Sequence, residues 1–153
     1  MKITDSLKNK INKKINKIEA FVDGGSRGNP GEAALGVVIN GKEYGQYLGK
    51  RTNNEAEYEA VIFALKKIKS LLGKENLKKT EVVINLDSEL VYKQLTNQYK
   101  ILEPELQKLF MEFWNLKFDF PYLKFNHIPR EKNKRADKIV NFILDQKTKG
   151  KLL

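Results

Sequence analysis

Near Thr52 the pattern of apolar residues passes from strands alone to strands alternating with helices, and that change restricts the fold more than any other feature. Before it, Ile18–Asp23, Ala34–Asn40 and Lys42–Lys50 read as three short strands. Asn40-Gly41 joins the second to the third, and Asn-Gly is the strongest short-range signal for a type I′ hairpin turn. Gly24–Gly31, between the first two, reads as a glycine-rich turn. After Thr52 the pattern alternates: a helix from about Asn54 to Leu72, a buried strand Glu81–Leu86, helices near Ser88–Asn97 and Pro104–Leu116, a strand Tyr122–Ile128 and a helix Lys134–Lys147. A meander followed by strands separated by helices demands antiparallel pairing first and parallel pairing after, with right-handed crossovers. The expected fold class is therefore α/β: a five-stranded mixed sheet, its first three strands antiparallel, flanked by helices.

Residues 1–16 stand apart as a basic N-terminal extension, with residues 17–149 as the folded domain and 150–153 as a tail. Ile3, Leu7, Ile11 and Ile15 recur every four residues among lysines, which fits either a basic amphipathic helix or a solvated tail. The net charge of +10 and pI near 9.6 favour a polyanionic partner, although charge alone does not separate nucleic acid from an anionic membrane surface. Cysteine is absent, which excludes disulfides and thiolate metal sites. No apolar run approaches the ~20 residues that span a bilayer, and the N-terminus lacks the apolar region of a signal peptide. A cytoplasmic monomer with no membrane association is expected.

The chemistry lies in the acids. Asp23 ends the apolar run Ala20-Phe21-Val22, and Asp87 ends Val82-Val83-Ile84-Asn85-Leu86 in the same way. Carboxylates are rarely buried unless paired or bound to a metal, and open α/β sheets bind ligands beyond the carboxyl ends of their strands. Among Glu55, Glu57 and Glu59, helical phase puts Glu57 on the stripe of Ala60, Val61, Ala64, Leu65 and Ile68 that must face the sheet. Asp137 shares a helical face with Val140 and Leu144. A helix N-terminus welcomes an acid by itself, but four acids converging on one sheet would repel one another without cations. Carboxylates with water and phosphate oxygens are the ligand set that suits Mg²⁺ or Mn²⁺. In a basic protein such a site suggests phosphodiester chemistry, in which two ions activate water and stabilise the leaving oxygen.

Four blocks occur in order: F-V-D-G-G-S-R-G-N-P-G from Phe21, T-N-N-E-A-E-Y from Thr52, L-D-S from Leu86 and R-E-K-N-K-R-A-D from Arg130. Together they resemble the type 1 ribonucleases H and cover nearly the whole chain after the extension. The resemblance implies catalytic, metal-binding acids at Asp23, Glu57, Asp87 and Asp137. It also implies cleavage of the RNA strand of an RNA–DNA hybrid, leaving a 3′-hydroxyl and a 5′-phosphate. By the same resemblance Gly28, Asn29, Asn53, Asn54 and Ser88 contact the RNA strand, where neutral donors and acceptors can read the 2′-hydroxyl.

The chain departs from the best-known bacterial members in two places. Tyr99-Lys100-Ile101-Leu102-Glu103-Pro104 replaces their basic helix-loop insertion, so the chain is similar to the compact, archaeal-type branch. Lys93, Lys100 and the N-terminal lysines are then the expected grip. Many members also carry a histidine in a mobile loop before the last aspartate. The one histidine here, His127, lies within a strand pattern, so Arg130 is the expected phosphate-facing residue, acting electrostatically because arginine is no base near neutrality. Phe110, Phe113 and Trp114 are expected in the core. The alternatives are a non-catalytic module that binds hybrids or double-stranded RNA, and a DNA nuclease on the same fold; cleavage of double-stranded RNA is left open.

Overall fold

The computed structural model describes residues 16–152, with side chains to residue 149. The N-terminal extension, read as either an amphipathic helix or a solvated tail, lies outside the described residues up to residue 15. Strands β1 (Asn16–Gly28), β2 (Gly31–Ile39), β3 (Lys42–Arg51), β4 (Thr80–Leu86) and β5 (Leu123–His127) form one sheet in the order β3-β2-β1-β4-β5. β1–β2 and β2–β3 are antiparallel, while β1–β4 and β4–β5 are parallel. This is the mixed sheet that the change of pattern near Thr52 implies. Asn40 and Gly41 both have positive φ, 45° and 86°, as a type I′ turn requires.

Helix α1 (Asn53–Leu77) crosses one face of the sheet, and α3 (Pro104–Lys117) packs on α1. Helix α4 (Lys134–Leu152) covers β1, β2 and β3 on the other face, and the short α2 (Glu89–Leu95) follows β4. Ala60, Val61, Ala64, Leu65 and Ile68 of α1 are buried against Ala20, Val22, Leu35, Val37 and Ile84 of the sheet. Burial of side chains the size of Leu65 or Ile68 contributes about 1.5–3 kcal/mol each. A smaller cluster of Ala34, Val140 and Leu144 seats α4. Among the described residues no helix is long and apolar enough to cross a membrane.

Four expectations are corrected. The glycine-rich segment is not a turn up to Gly31: β1 runs on to Gly28, paired residue by residue with β2, and only Asn29-Pro30 turns. Backbone pairing to a long β2 outweighs the weak strand propensity of glycine. Helix α1 continues past Leu72 to Leu77, with a break at Gly73 (φ 75°, ψ 161°). Leu77, fully buried, anchors this added turn. Asn16 belongs to β1, where it pairs with Thr80, and α4 extends beyond residue 149. Trp114 is not core: Phe113 is buried, but Trp114 stays 37% exposed against Phe118, with Lys117 Nζ 3.7 Å from its ring centroid. One residue further round the helix than Phe113, it turns away from α1 toward solvent.

Candidate active site

Just beyond the last parallel pair of β1 and β4, Phe21 with Asn85, lies a cavity of about 530 Å³ bordered by the N-terminal parts of α1 and α4. Asp23, Glu57, Asp87 and Asp137 all line it, with Arg130, Asn53, Asn54 and Ser88. One carboxylate oxygen from each of Asp23, Glu57 and Asp87 lies within 4.8 Å of the others. Asp137 enters from the first turn of α4 and is exposed, so it is not one of the buried-face acids expected from its helical phase.

Glu57 reaches this cluster because α1 lies almost against β1. A Cβ on Gly24 would stand 2.2 Å from the carbonyl carbon and oxygen of Ala56, so only glycine admits the contact. Gly24 N–H then donates to Glu57 Oε1 at 3.2 Å, while Glu57 Oε2 is buried without a protein partner. Thr52 and Glu55 close a reciprocal capping box that starts the helix in register. Glu55 and Glu59 are half-buried rather than free in solvent, Glu55 in this cap and Glu59 paired with Arg51 at 3.0 Å.

Burial, above all, pushes the Asp23 carboxyl up to about 6; Asp87 and Asp137 add to the rise, and contact with Glu57 opposes it. Burial raises Glu57 well above the usual carboxylate range, reinforced by Asp23 beside it. Such a cluster fits a hard divalent cation: its donors are all carboxylate oxygens, and the Glu57 oxygen lacks any other partner.

Asn133 is the residue that reasoning from sequence missed. Buried to 1% exposure, it donates from Nδ2 to Val22 O at 2.8 Å and to Asp87 Oδ2 at 3.0 Å. Its own carbonyl accepts from Asp137 N–H in the first turn of α4. Its side chain thus ties β1 to Asp87, just past β4, while its backbone carbonyl starts α4. It stood inside the block R-E-K-N-K-R-A-D, but no periodicity distinguishes it from its charged neighbours.

The residues expected to read substrate divide into two groups. Asn53, Asn54 and Ser88 line the cavity, whereas Gly28 and Asn29 lie at its rim, at the β1–β2 turn. Asn29 Oδ1 accepts from Asn53 N–H, and Asn53 Oδ1 accepts from Ser26 N–H, so the turn and the start of α1 form one unit. Ser88 caps α2 by accepting from Val91 N–H. His127 is outside the cavity lining: its ring stacks on Tyr92, and Nε2 lies 3.2 Å from Asp87 O. Lys93 is less free than expected, since it pairs with Glu89 at 2.9 Å and lies over the Tyr99 ring. Residues 96–103 connect α2 to α3 without a further helix.

A family model described as "Reverse transcriptase-like" matches residues 21–143. A ribonuclease HI of Halobacterium salinarum is 36% identical over 135 residues, covering 84% of this chain and 65% of that protein. LC11-RNase H1, solved in complex with an RNA/DNA hybrid, superposes with a TM-score of 0.80 at 43% identity, covering 86% of this chain and 99% of its own. The RNase H1 structure from Halobacterium salinarum gives a TM-score of 0.76 at 36% identity, with 86% and 99% coverage. A bifunctional protein of Mycobacterium tuberculosis is 33% identical over 136 residues, and the chain spans 36% of its length. The chain thus spans about two thirds of one curated relative and about one third of another.

Sheet order, helix placement and the acidic cavity at the strand ends define a ribonuclease H-like fold. The chain belongs to the reverse transcriptase-like family and, within it, groups with the type 1 ribonucleases H.

Proposed function

We propose that this chain is a divalent-metal-dependent endonuclease that hydrolyses the RNA strand of RNA–DNA hybrids, leaving 3′-hydroxyl and 5′-phosphate ends. The observation that carries the proposal is the convergence of Asp23, Glu57 and Asp87 within 4.8 Å in a cavity whose lining adds neutral Asn53, Asn54 and Ser88. Asp23, Glu57 and Asp87 would hold Mg²⁺, or Mn²⁺ in its place, with Asp137 completing a site for two ions. When bound, such ions neutralise phosphate charge and activate water for in-line attack.

The chain's own residues do the positioning. Asn133 fixes the rotamer of Asp87, and Gly24 N–H holds one oxygen of Glu57 while the other stays available. Asn53, Asn54 and Ser88, with Gly28 and Asn29 at the rim, present uncharged groups suited to a 2′-hydroxyl. Arg130 supplies a fixed positive charge for a phosphate of the cleaved strand. The relative solved with an RNA/DNA hybrid supports this substrate, and a cytoplasmic monomer acting on hybrids is the matching cellular reading. The non-catalytic module is disfavoured because all four acids are present on one cavity.

The test uses an end-labelled hybrid, with duplex RNA and duplex DNA beside it, in Mg²⁺, in Mn²⁺ and in chelator. Metal-dependent cutting of the hybrid's RNA strand, lost in Asp87→Asn, is expected. Tight hybrid binding without cutting in either metal would favour the binding module. Cutting of duplex RNA would widen the substrate range.

A further inference from the structure

Among the described residues, Arg27 and Arg130 are the cationic side chains on the lining of the acidic cavity. Arg27 has no role in the site as described. Side chains alternate along a strand, so Asp23, Gly25 and Arg27 of β1 share a face, with Arg27 ~13 Å beyond Asp23 at the usual rise per residue. That face is the one turned to α4. Ser26, on the other, meets Asn53 of α1.

On α4, Asp137, Asn141 and Asp145 recur every four residues and form one stripe along the helix. The stripe leads from the catalytic cluster directly to Arg27. Arg27 Nη2 lies 2.6 Å from Asp145 Oδ1 and 3.5 Å from both the backbone oxygen and Oδ1 of Asn141. Both partners of the ion pair are largely in solvent, at 41% and 56% side-chain exposure. An exposed pair of this kind is worth only about 0.2–1 kcal/mol. A phosphate oxygen is at least as good a guanidinium partner as a carboxylate and presents the same fork geometry.

We propose that Arg27 is a backbone-phosphate contact of the substrate and that Asp145 is its resting partner, which a phosphate displaces. This rests on the reading of the chain as a hybrid-cutting nuclease and adds a contact to it. The asymmetry between the two residues makes it testable. Loss of Arg27 removes a contact, whereas loss of the Asp145 charge frees Arg27 and improves binding. A mere structural tie between β1 and α4 would make both changes neutral or harmful.

The experiment measures hybrid affinity by fluorescence anisotropy in Mg²⁺ over a range of salt, with cleavage blocked by Asp87→Asn. Arg27→Gln, Asp145→Asn and the double variant are compared in that background. Arg27→Gln is expected to weaken binding several-fold and to lower the salt slope by about one. Asp145→Asn is expected to tighten binding by ~2–5-fold, the equivalent of the exposed pair it removes. In the Arg27→Gln background that gain should vanish. A gain of equal size in both backgrounds means general charge repulsion, and no gain in either means a structural tie; both overturn the proposal while leaving the nuclease reading intact. Failure of the Asp87→Asn parent to bind hybrid at all, where duplex DNA or RNA binds, overturns the substrate reading and this contact with it.

Discussion

Asp23 shows how an acid can be tolerated inside a buried strand and still be costly there. Its carboxyl sits at about 6, raised mainly by burial, against an ordinary value of 3.8. Because the folded state holds that proton more tightly than the unfolded chain, the stability gained is full below about 4. It is lost as pH rises through about 6. Glu57, raised in the same direction, extends the loss to higher pH. Thermal unfolding in chelator should therefore show the melting temperature falling as pH rises from 4 to 7, with added Mg²⁺ restoring it near neutrality. Asp23→Asn should stabilise the metal-free protein at pH 7 by ~1–2 kcal/mol while abolishing cleavage. A melting temperature that rises over the same pH range would show that the cluster is not strained by its charge.

Asn133 carries a second prediction at this scale. Asn133→Ala leaves Val22 O and Asp87 Oδ2 without their shared donor. We expect ~1–3 kcal/mol of lost stability and a ~10–100-fold fall in cleavage, typical for a group that orients a metal ligand. Mg²⁺ affinity measured by calorimetry should fall with it; an unchanged affinity would confine Asn133 to a packing role.

Among the elements, α1 is the one on which the site depends most. Its capping box sets where the helix begins, its apolar stripe sets which face meets the sheet, and Gly24 sets how closely it approaches β1. Gly24→Ala would drive a methyl group into the Ala56 carbonyl, which backbone cannot yield without moving the helix. The expected outcome is a loss of ~1–3 kcal/mol, as for other overpacked sites, and of most activity, because Glu57 is displaced outward. Chemical denaturation and cleavage assays measure the two effects separately. A stable Gly24→Ala protein with full activity would show that the approach of α1 is not needed to place Glu57.

At the scale of the whole molecule, charge is distributed unevenly between function and support. Five acids, Glu89 with the four of the cluster, line one cavity of a chain with net charge +10, so the remainder of the chain is more basic than the total suggests. Lys93, by contrast, is largely committed to Glu89 and Tyr99. The five lysines of residues 1–14 thus gain weight as phosphate contacts. Deletion of residues 1–14 tests that reading. Hybrid binding should weaken, with a salt slope reduced by up to ~0.9 for each lysine that met a phosphate. Unchanged affinity and slope would remove the extension from the binding surface.

Sequence alone determined the number of strands, their antiparallel-then-parallel pairing and the position of Glu57, rather than Glu55 or Glu59, on the sheet-facing stripe of α1, because each follows from a local period or turn. Asn40-Gly41, the stripe from Ala60 to Ile68 and the acids closing two apolar runs are signals that a few neighbouring residues carry in full. Tertiary structure decided the rest. Strand β1 continues through Gly24 and Gly25 because β2 pairs with it, and a pairing partner is not a local property. Asp137 stands exposed although its helical phase suggested otherwise, since the phase of a helix does not say how much of its first turn is covered. Asn133 and the Arg27–Asp145 pair join residues more than a hundred positions apart. Contacts of that range depend on how α4 is set down on the sheet, and no window of sequence short enough to have a period contains both ends of them.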